Sequence, residues 1–260
     1  MKLKLALALL LAAAVAFLGY SYHIYTQPDP DGVLILEYHL VQDEELPEND
    51  VYRVSVKDFL EQLDYLAEKG YTTISIRDFL RAKKGLETLP AKPVILTFDD
   101  GYKSNYSVLL PILEERKLKA TIFMPTNFIG EERYMSWAEL KDIQKRGVEI
   151  GSHTANHLDL EELTPDEVRD ELRLSKLLME WNGMETIYTF SYPHGANIEG
   201  IEDILKEEEY LAAVTGDAGI NTASTNPYFL KRVQIPNPTF NLPEFKYRLF
   251  KAKFFAYLET

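Results

Sequence analysis

Residues 93–101 read PVILTFDDG. Val94, Ile95, Leu96 and Phe98 form a short apolar run, bounded by Pro93 and Gly101. A run of this length suits a strand buried on both faces of a parallel sheet. It ends on two adjacent carboxylates, so one buried strand delivers both acids to one mouth. Successive residues of an extended chain point to opposite sides, and Asp99 and Asp100 therefore need not share a task. One is available to a metal while the other handles protons. Taken alone, Asp-Asp-Gly also reads as an ordinary turn.

A second stretch gives the first its chemistry. Residues 148–157 read VEIGSHTANH, again a short apolar strand ending in polar residues, with His153 and His157 at the i and i+4 spacing. On a helical turn those side chains meet, as in two-histidine metal sites. The alternative is a pair of surface histidines beside a helix start capped by Ser152 or Thr154. Two His and one Asp make a three-ligand set that leaves metal positions open for water and substrate. The chain has 5 histidines in all, and two of them fall here.

Outward from these stretches, strands and helices alternate. A strand over 33–38 ends at His39; a helix runs from Ser55 to Lys69 and closes at Gly70; a strand over 71–74 and a helix over 76–84 lead to the TFDDG strand. Beyond it come a helix over 108–116, a strand over 120–124, a helix over 137–146 and the VEIG strand. A helix then opens at Pro165 and runs to Trp181, followed by a strand over 187–192, a helix over 201–209, a strand over 211–214 and an amphipathic segment over 242–257. Such alternation implies parallel βαβ units. So many units in one domain favour an α/β fold that closes as a single-domain (β/α) barrel, a distorted TIM-like barrel of seven or eight strands, over an open doubly wound sheet. His39, Asp99, Asp100, His153 and His194 all follow strands, at the face where barrel enzymes carry their sites. No glycine-rich nucleotide loop follows any strand.

The first 26 residues place Lys2 and Lys4 before an uncharged apolar run from Leu5 to Leu18. That is the form of an export signal. Continued to Tyr25 the run is long enough to span a bilayer, so residues 1–26 read as a signal peptide or an N-terminal membrane anchor. Residues 27–32, QPDPDG, form a proline-punctuated linker, and 33–260 the folded domain. With 46% hydrophobic residues and no cysteine, that domain must rest on its core rather than on disulfides. A net charge of -13 argues against nucleic acid or an anionic membrane surface as partner.

TFDDG followed by SHTANH resembles the polysaccharide deacetylases, the NodB-like domain of carbohydrate esterase family 4, over roughly residues 33–235. EYH at 37–39, the helix-Gly-Tyr-strand order at 55–75 and FSYPHG at 190–195 resemble most closely the biofilm poly-N-acetylglucosamine deacetylases. The resemblance implies that Asp100, His153 and His157 hold a divalent metal, usually Zn2+ with Co2+ or Ni2+ as alternatives. It also implies that Asp99 is the general base and that a backbone N–H at His194 helps to stabilise the oxyanion. The chain departs from the common pattern twice: Ser191 stands where most members carry Arg, and the late Leu-x-His motif that supplies the acid is missing. The biofilm branch resembles a circularly permuted arrangement, which makes His39 the candidate acid and Arg232, in FLKRV, the candidate for orienting Asp99. The implied activity is metal-dependent N-deacetylation of an extracellular N-acetylglucosamine polymer, whether exopolysaccharide, peptidoglycan or a chitin-like glycan. Its enzyme would be secreted or tethered by the apolar N-terminus, with the N-acetylated polysaccharide as partner. Three other functions use the same residues: an O-acetyl esterase, a carbohydrate-binding protein without turnover, and a non-haem iron oxygenase.

Overall fold

The computed structural model describes residues 2–43, 51–195 and 198–259. Helix α1 (Lys2–Thr26) leads to strand β1 (Leu34–Tyr38) and to a small parallel pair, β2 (Leu40–Val41) with β3 (Arg53–Val54). Next come α2 (Val56–Glu68), β4 (Thr72–Thr73), α3 (Ile76–Lys83), β5 (Pro93–Phe98) and α4 (Leu110–Arg116), the last opened by a π-helical turn over Asn105–Leu109. The chain continues through β6 (Thr121–Met124), α5 (Trp137–Lys145), β7 (Glu149–Ser152), α6 (Pro165–Trp181) and β8 (Thr189–Ser191). It ends with α7 (Ile201–Glu207), β9 (Ala212–Val214), β10 (Val233–Gln234) and α8 (Asn241–Leu258). The helix starts have local causes. Ser55 caps α2, and Ser75 with Asp78, Ser136 with Glu139 and Thr164 with Glu167 complete reciprocal capping boxes on α3, α5 and α6. Each such cap contributes about 1 kcal/mol.

The main sheet is parallel throughout, in the order β10-β1-β5-β6-β7-β8-β9, with β4 added on β5. An isolated parallel bridge between Val214 and Leu230 brings the approach to β10 back against β9. There Leu230 N–H donates to Ala213 and Thr215 N–H to Leu230, at 2.9 and 2.8 Å. The sheet is thus the expected distorted barrel, with one seam tied by a single bridge.

Period-two alternation sorts the strand residues into two clusters. Leu34, Leu36, Val94, Leu96, Ile122 and Met124 pack with the surrounding helices, whereas Ile35, Ile95, Phe123, Ala212, Val214 and Leu230 pack with one another inside. Toward the strand ends the inner rows turn polar: Ile35 gives way to Glu37, and Ile95 to Thr97 and then Asp99. The site begins where the apolar interior stops.

Candidate active site

Asp99 keeps the parity of Ile95 and Thr97, so its carboxylate enters the mouth from the inner face, while its N–H extends the ladder to the Tyr38 carbonyl at 2.9 Å. Arg232, just before β10, closes on it with both prongs: Nη1 donates to Oδ1 at 2.9 Å and Nη2 to Oδ2 at 2.8 Å. Ser191 Oγ, at the end of β8, donates to Oδ2 at 3.0 Å and is itself 3.1 Å from Arg232 Nη2. Burial by itself raises the Asp99 pKa, but the Arg232 charge, His153 and the Arg232 hydrogen bonds outweigh it and hold this carboxyl well below the usual range. Asp99 is an ionised, oriented carboxylate at neutral pH.

Asp100 leaves the strand at φ 71, so the backbone, rather than simple alternation, separates it from its neighbour. Gly101 follows at φ 67, and a Cβ there would lie 1.9 Å from Met124 Sδ, a position only glycine fills. His153 extends β7, its N–H donating to Met124 at 3.1 Å. Its Nδ1 lies 2.7 Å from the Ser191 carbonyl, which can only accept, so the proton sits on Nδ1 and the Nε2 lone pair faces the mouth. Burial pushes this imidazole down to about 4, against the pull of Asp99 and Asp100 in the other direction, so it is neutral.

His157 reaches the same place by a route the spacing did not suggest. Residues 153–157 form no helical turn; the loop passes through left-handed Thr154 and His157, at φ 66 and 56. Thr154 Oγ1 accepts the His157 N–H at 2.8 Å, and the buried Glu171 of α6 accepts the N–H groups of Ala155 and Asn156 at 3.0 and 2.8 Å. These side chains substitute for the hydrogen bonds a helix would have made. For His157 burial lowers the pKa, but contact with Asp100 outweighs it and the net direction is upward.

The Nε2 atoms of His157 and His153 stand 3.3 and 3.6 Å from Asp100 Oδ1. That oxygen is buried, yet it has no hydrogen-bond partner. One carboxylate and two imidazole atoms, all within 4.8 Å of one another, fit a divalent cation of the zinc type. They fit poorly as a purely protein-satisfied cluster.

The other expected site residues border the same cleft, of about 350 Å³. His39, at the end of β1, has a ring nitrogen within 4.8 Å of both an Asp99 and a Glu37 oxygen, and its ring packs 4.5 Å from that of Tyr52. His194 is exposed, at φ 58, with its ring 4.9 Å from that of His157. Tyr102 and Tyr134 line the cleft as a stacked pair, ring centroids 5.3 Å apart. Sequence reading missed Glu37, whose Oε2 is buried without a hydrogen bond although Arg232 Nε lies 3.2 Å away. Burial raises its pKa and Asp99 adds to the shift, with Arg232 opposing. Its signal was present, a lone acid in the apolar strand LILEY. Glu171, the support of the His157 loop, had no comparable signal among the other acids of α6.

A family profile described as polysaccharide deacetylase matches residues 87–217. A Bacillus subtilis (strain 168) protein named for polysaccharide deacetylase is 31% identical over 205 residues, which cover 77% of this chain and 70% of that one. The poly-beta-1,6-N-acetyl-D-glucosamine N-deacetylase of Staphylococcus aureus (strain MSSA476) is 25% identical over 232 residues, 80% of each chain. Among solved structures, the Streptococcus pyogenes deacetylase PplD in complex with acetate superposes with a TM-score of 0.75 at 28% identity, over 86% of this chain and 99% of that one. The matched segment contains Asp99, Asp100, His153, His157, Ser191 and His194, and on that ground the chain belongs to the polysaccharide deacetylase family.

Proposed function

We propose that the protein is a zinc-dependent N-deacetylase of a β-linked N-acetylglucosamine polymer, acting outside the cytoplasm. The observation that carries this reading is the juxtaposition of a carboxylate saturated by Arg232 and Ser191 with an Asp-His-His set whose carboxylate oxygen lacks a partner. Asp100, His153 and His157 would hold the cation, which when bound supplies carbonyl polarisation and a water acidic enough to lose a proton near neutrality. Asp99 takes that proton as the water oxygen adds to the acetyl carbon, and Arg232 and Ser191 keep its oxygens aimed. The left-handed His194 turn presents backbone to the oxygen that becomes negative. His39, beside Asp99 at the end of the neighbouring strand, gives a proton to the amide nitrogen as the C–N bond breaks, so the products are acetate and a free amine. The stacked pair of Tyr102 and Tyr134 offers a flat apolar wall to a sugar ring. The Staphylococcus aureus relative supports the choice of polymer, and the apolar α1 supports the location.

Acetate release from soluble β-1,6-linked N-acetylglucosamine oligomers, measured after chelation and after zinc is restored, tests the reading, with Asp99→Asn alongside. Zinc-dependent release that disappears in the Asn variant is expected. No release from these oligomers, from peptidoglycan fragments or from acetylated glycan esters by a zinc-loaded protein overturns the enzyme. Release from the esters alone reassigns it as an O-acetyl esterase.

A further inference from the structure

The geometry points to the C-terminal half of α8 as a second membrane-contacting element, seated with the end of α1 at the surface of a phospholipid bilayer; this rests on α1 being a retained anchor. Residues Lys4–Thr26 form a helix of 23 residues that is long and apolar enough to cross a membrane. At 1.5 Å per residue its length is about 35 Å, against roughly 30 Å of hydrocarbon. Tyr20, Tyr22 and Tyr25 mark its final turns, at the level where aromatic residues gather in membrane proteins.

α8 packs on those turns. The Phe254 ring lies 5.9 Å from that of Phe17 and 6.0 Å from that of Tyr20, and the Phe250 ring 6.0 Å from that of Tyr25. Phe254 is therefore level with the membrane-side edge of the tyrosine belt, between Phe17 and Tyr20. The joint between helix and domain is tied rather than loose. Lys253 Nζ donates to the Gln27 carbonyl and pairs with Asp29 at 3.3 Å, Tyr257 donates to the Pro28 carbonyl at 2.9 Å, and Val33 pairs with Asn221. With α1 across a bilayer, this packing carries the last turns of α8 to the boundary.

The surface that α8 brings there suits a lipid interface. Leu258 is 56% exposed, and the exposed Lys251 has its Nζ 5.5 Å over the Phe255 ring. In the C-terminal half of α8, Lys253 pairs with Asp29 and Glu259 with Lys231, which leaves Lys251 as the local surplus charge in a chain whose net charge is -13. Attraction to anionic headgroups follows the local charge, because screening confines it to about 10 Å. The acidity of the whole chain therefore does not forbid this contact. Strand β1 starts at Leu34, near the tied joint, and ends beside His39 in the cleft. The mouth accordingly faces away from the bilayer.

The chain contains no cysteine, so Leu258→Cys and Glu132→Cys each place one environment-sensitive fluorophore on the full chain. Glu132, exposed in the loop that follows β6 at the mouth end of the sheet, is the control. In vesicles of phosphatidylcholine and phosphatidylglycerol, the label at 258 is expected to be quenched several-fold more by nitroxide-bearing lipid, and several-fold less by aqueous iodide, than the label at 132. Equal iodide quenching at both sites, in protein that stays with the vesicles, overturns the proposal. Protein that separates from the vesicles also overturns it, by removing the anchor. Neither readout requires turnover, so failure of the deacetylase reading leaves both unchanged.

Discussion

Asp99 and Asp100 are neighbours in sequence, both buried at one mouth, and their surroundings differ in kind. Asp99 has both oxygens engaged by Arg232 and one also by Ser191, so the protein itself satisfies this carboxylate. Asp100 has a buried oxygen that no donor reaches, with two imidazole nitrogens facing it. The contrast teaches how one strand end can hold two acids in opposite states: one is fixed and ionised by a resident cation, and the other is left open, which under the proposed function is the place of a cation from outside.

The sharpest way to break this contrast is to remove the incoming cation. Chelation is expected to abolish acetate release, and restored zinc to return it. Zinc at a hundred times its dissociation constant is expected to stabilise the fold by about 2.7 kcal/mol, read as a rise in Tm by calorimetry. Activity that survives complete chelation would remove the distinction between the two acids. Next in size, Asp99→Asn is expected to lower kcat by about 10²–10⁴-fold while zinc content, measured by atomic absorption, stays near one per chain. Loss of zinc in this variant would mean that the two acids are not functionally separate. Third, Arg232→Leu leaves Asp99 and Glu37 buried without their shared cation, and a loss of roughly 3–5 kcal/mol is expected in urea unfolding. A change below about 1 kcal/mol would show that Asp99 does not depend on this pair.

The smallest effect concerns Glu37. One guanidinium faces two buried carboxylates, so Glu37 is the surplus charge. Its pKa is raised in the folded state, first by burial and then by Asp99. A raised folded pKa means that the native state holds the proton more tightly than the unfolded chain does. The resulting stability is present below the unfolded carboxyl range and is lost as pH rises through the folded pKa. Glu37→Gln removes that loss, and a neutral or slightly positive Tm change at pH 7 is expected, with a flatter stability curve above the normal carboxyl range. A marked fall in Tm would assign Glu37 an ionised structural role beside Asp99.

Much of this was legible in the chain because it rested on local rules. The apolar runs at 33–38, 94–98 and 120–124 marked buried parallel strands, and Ser55 and Pro165 marked helix starts, one as the cap and the other as the first helical residue. Histidines and aspartates after strands pointed to a single mouth, where the fold gathers them. What stayed hidden depended on contacts distant in sequence. The His157 loop looks helical by spacing, and the support for the left-handed path it takes includes Glu171, which comes from the following helix. Glu37 required knowing that its row faces inward and that Arg232 returns beside it. The packing of α8 on α1 was illegible: the 242–257 segment reads as amphipathic, yet in the structure apolar residues stand on several sides of each helix, so neither sequence marks one face for the other.

The left-handed backbone at the mouth also bears on how such a centre is inherited or rebuilt. Asp100, His157 and His194 lie at φ 71, 56 and 58, where an ordinary side chain costs roughly 1–2 kcal/mol. Random substitution at these positions is therefore filtered for conformation as well as for chemistry. Asparagine and glycine pass the first filter without helping the second. A protein engineer who transfers only the aspartate and histidines to another barrel would leave behind the turns that aim them, and the unit to graft is the strand end together with its twisted loop.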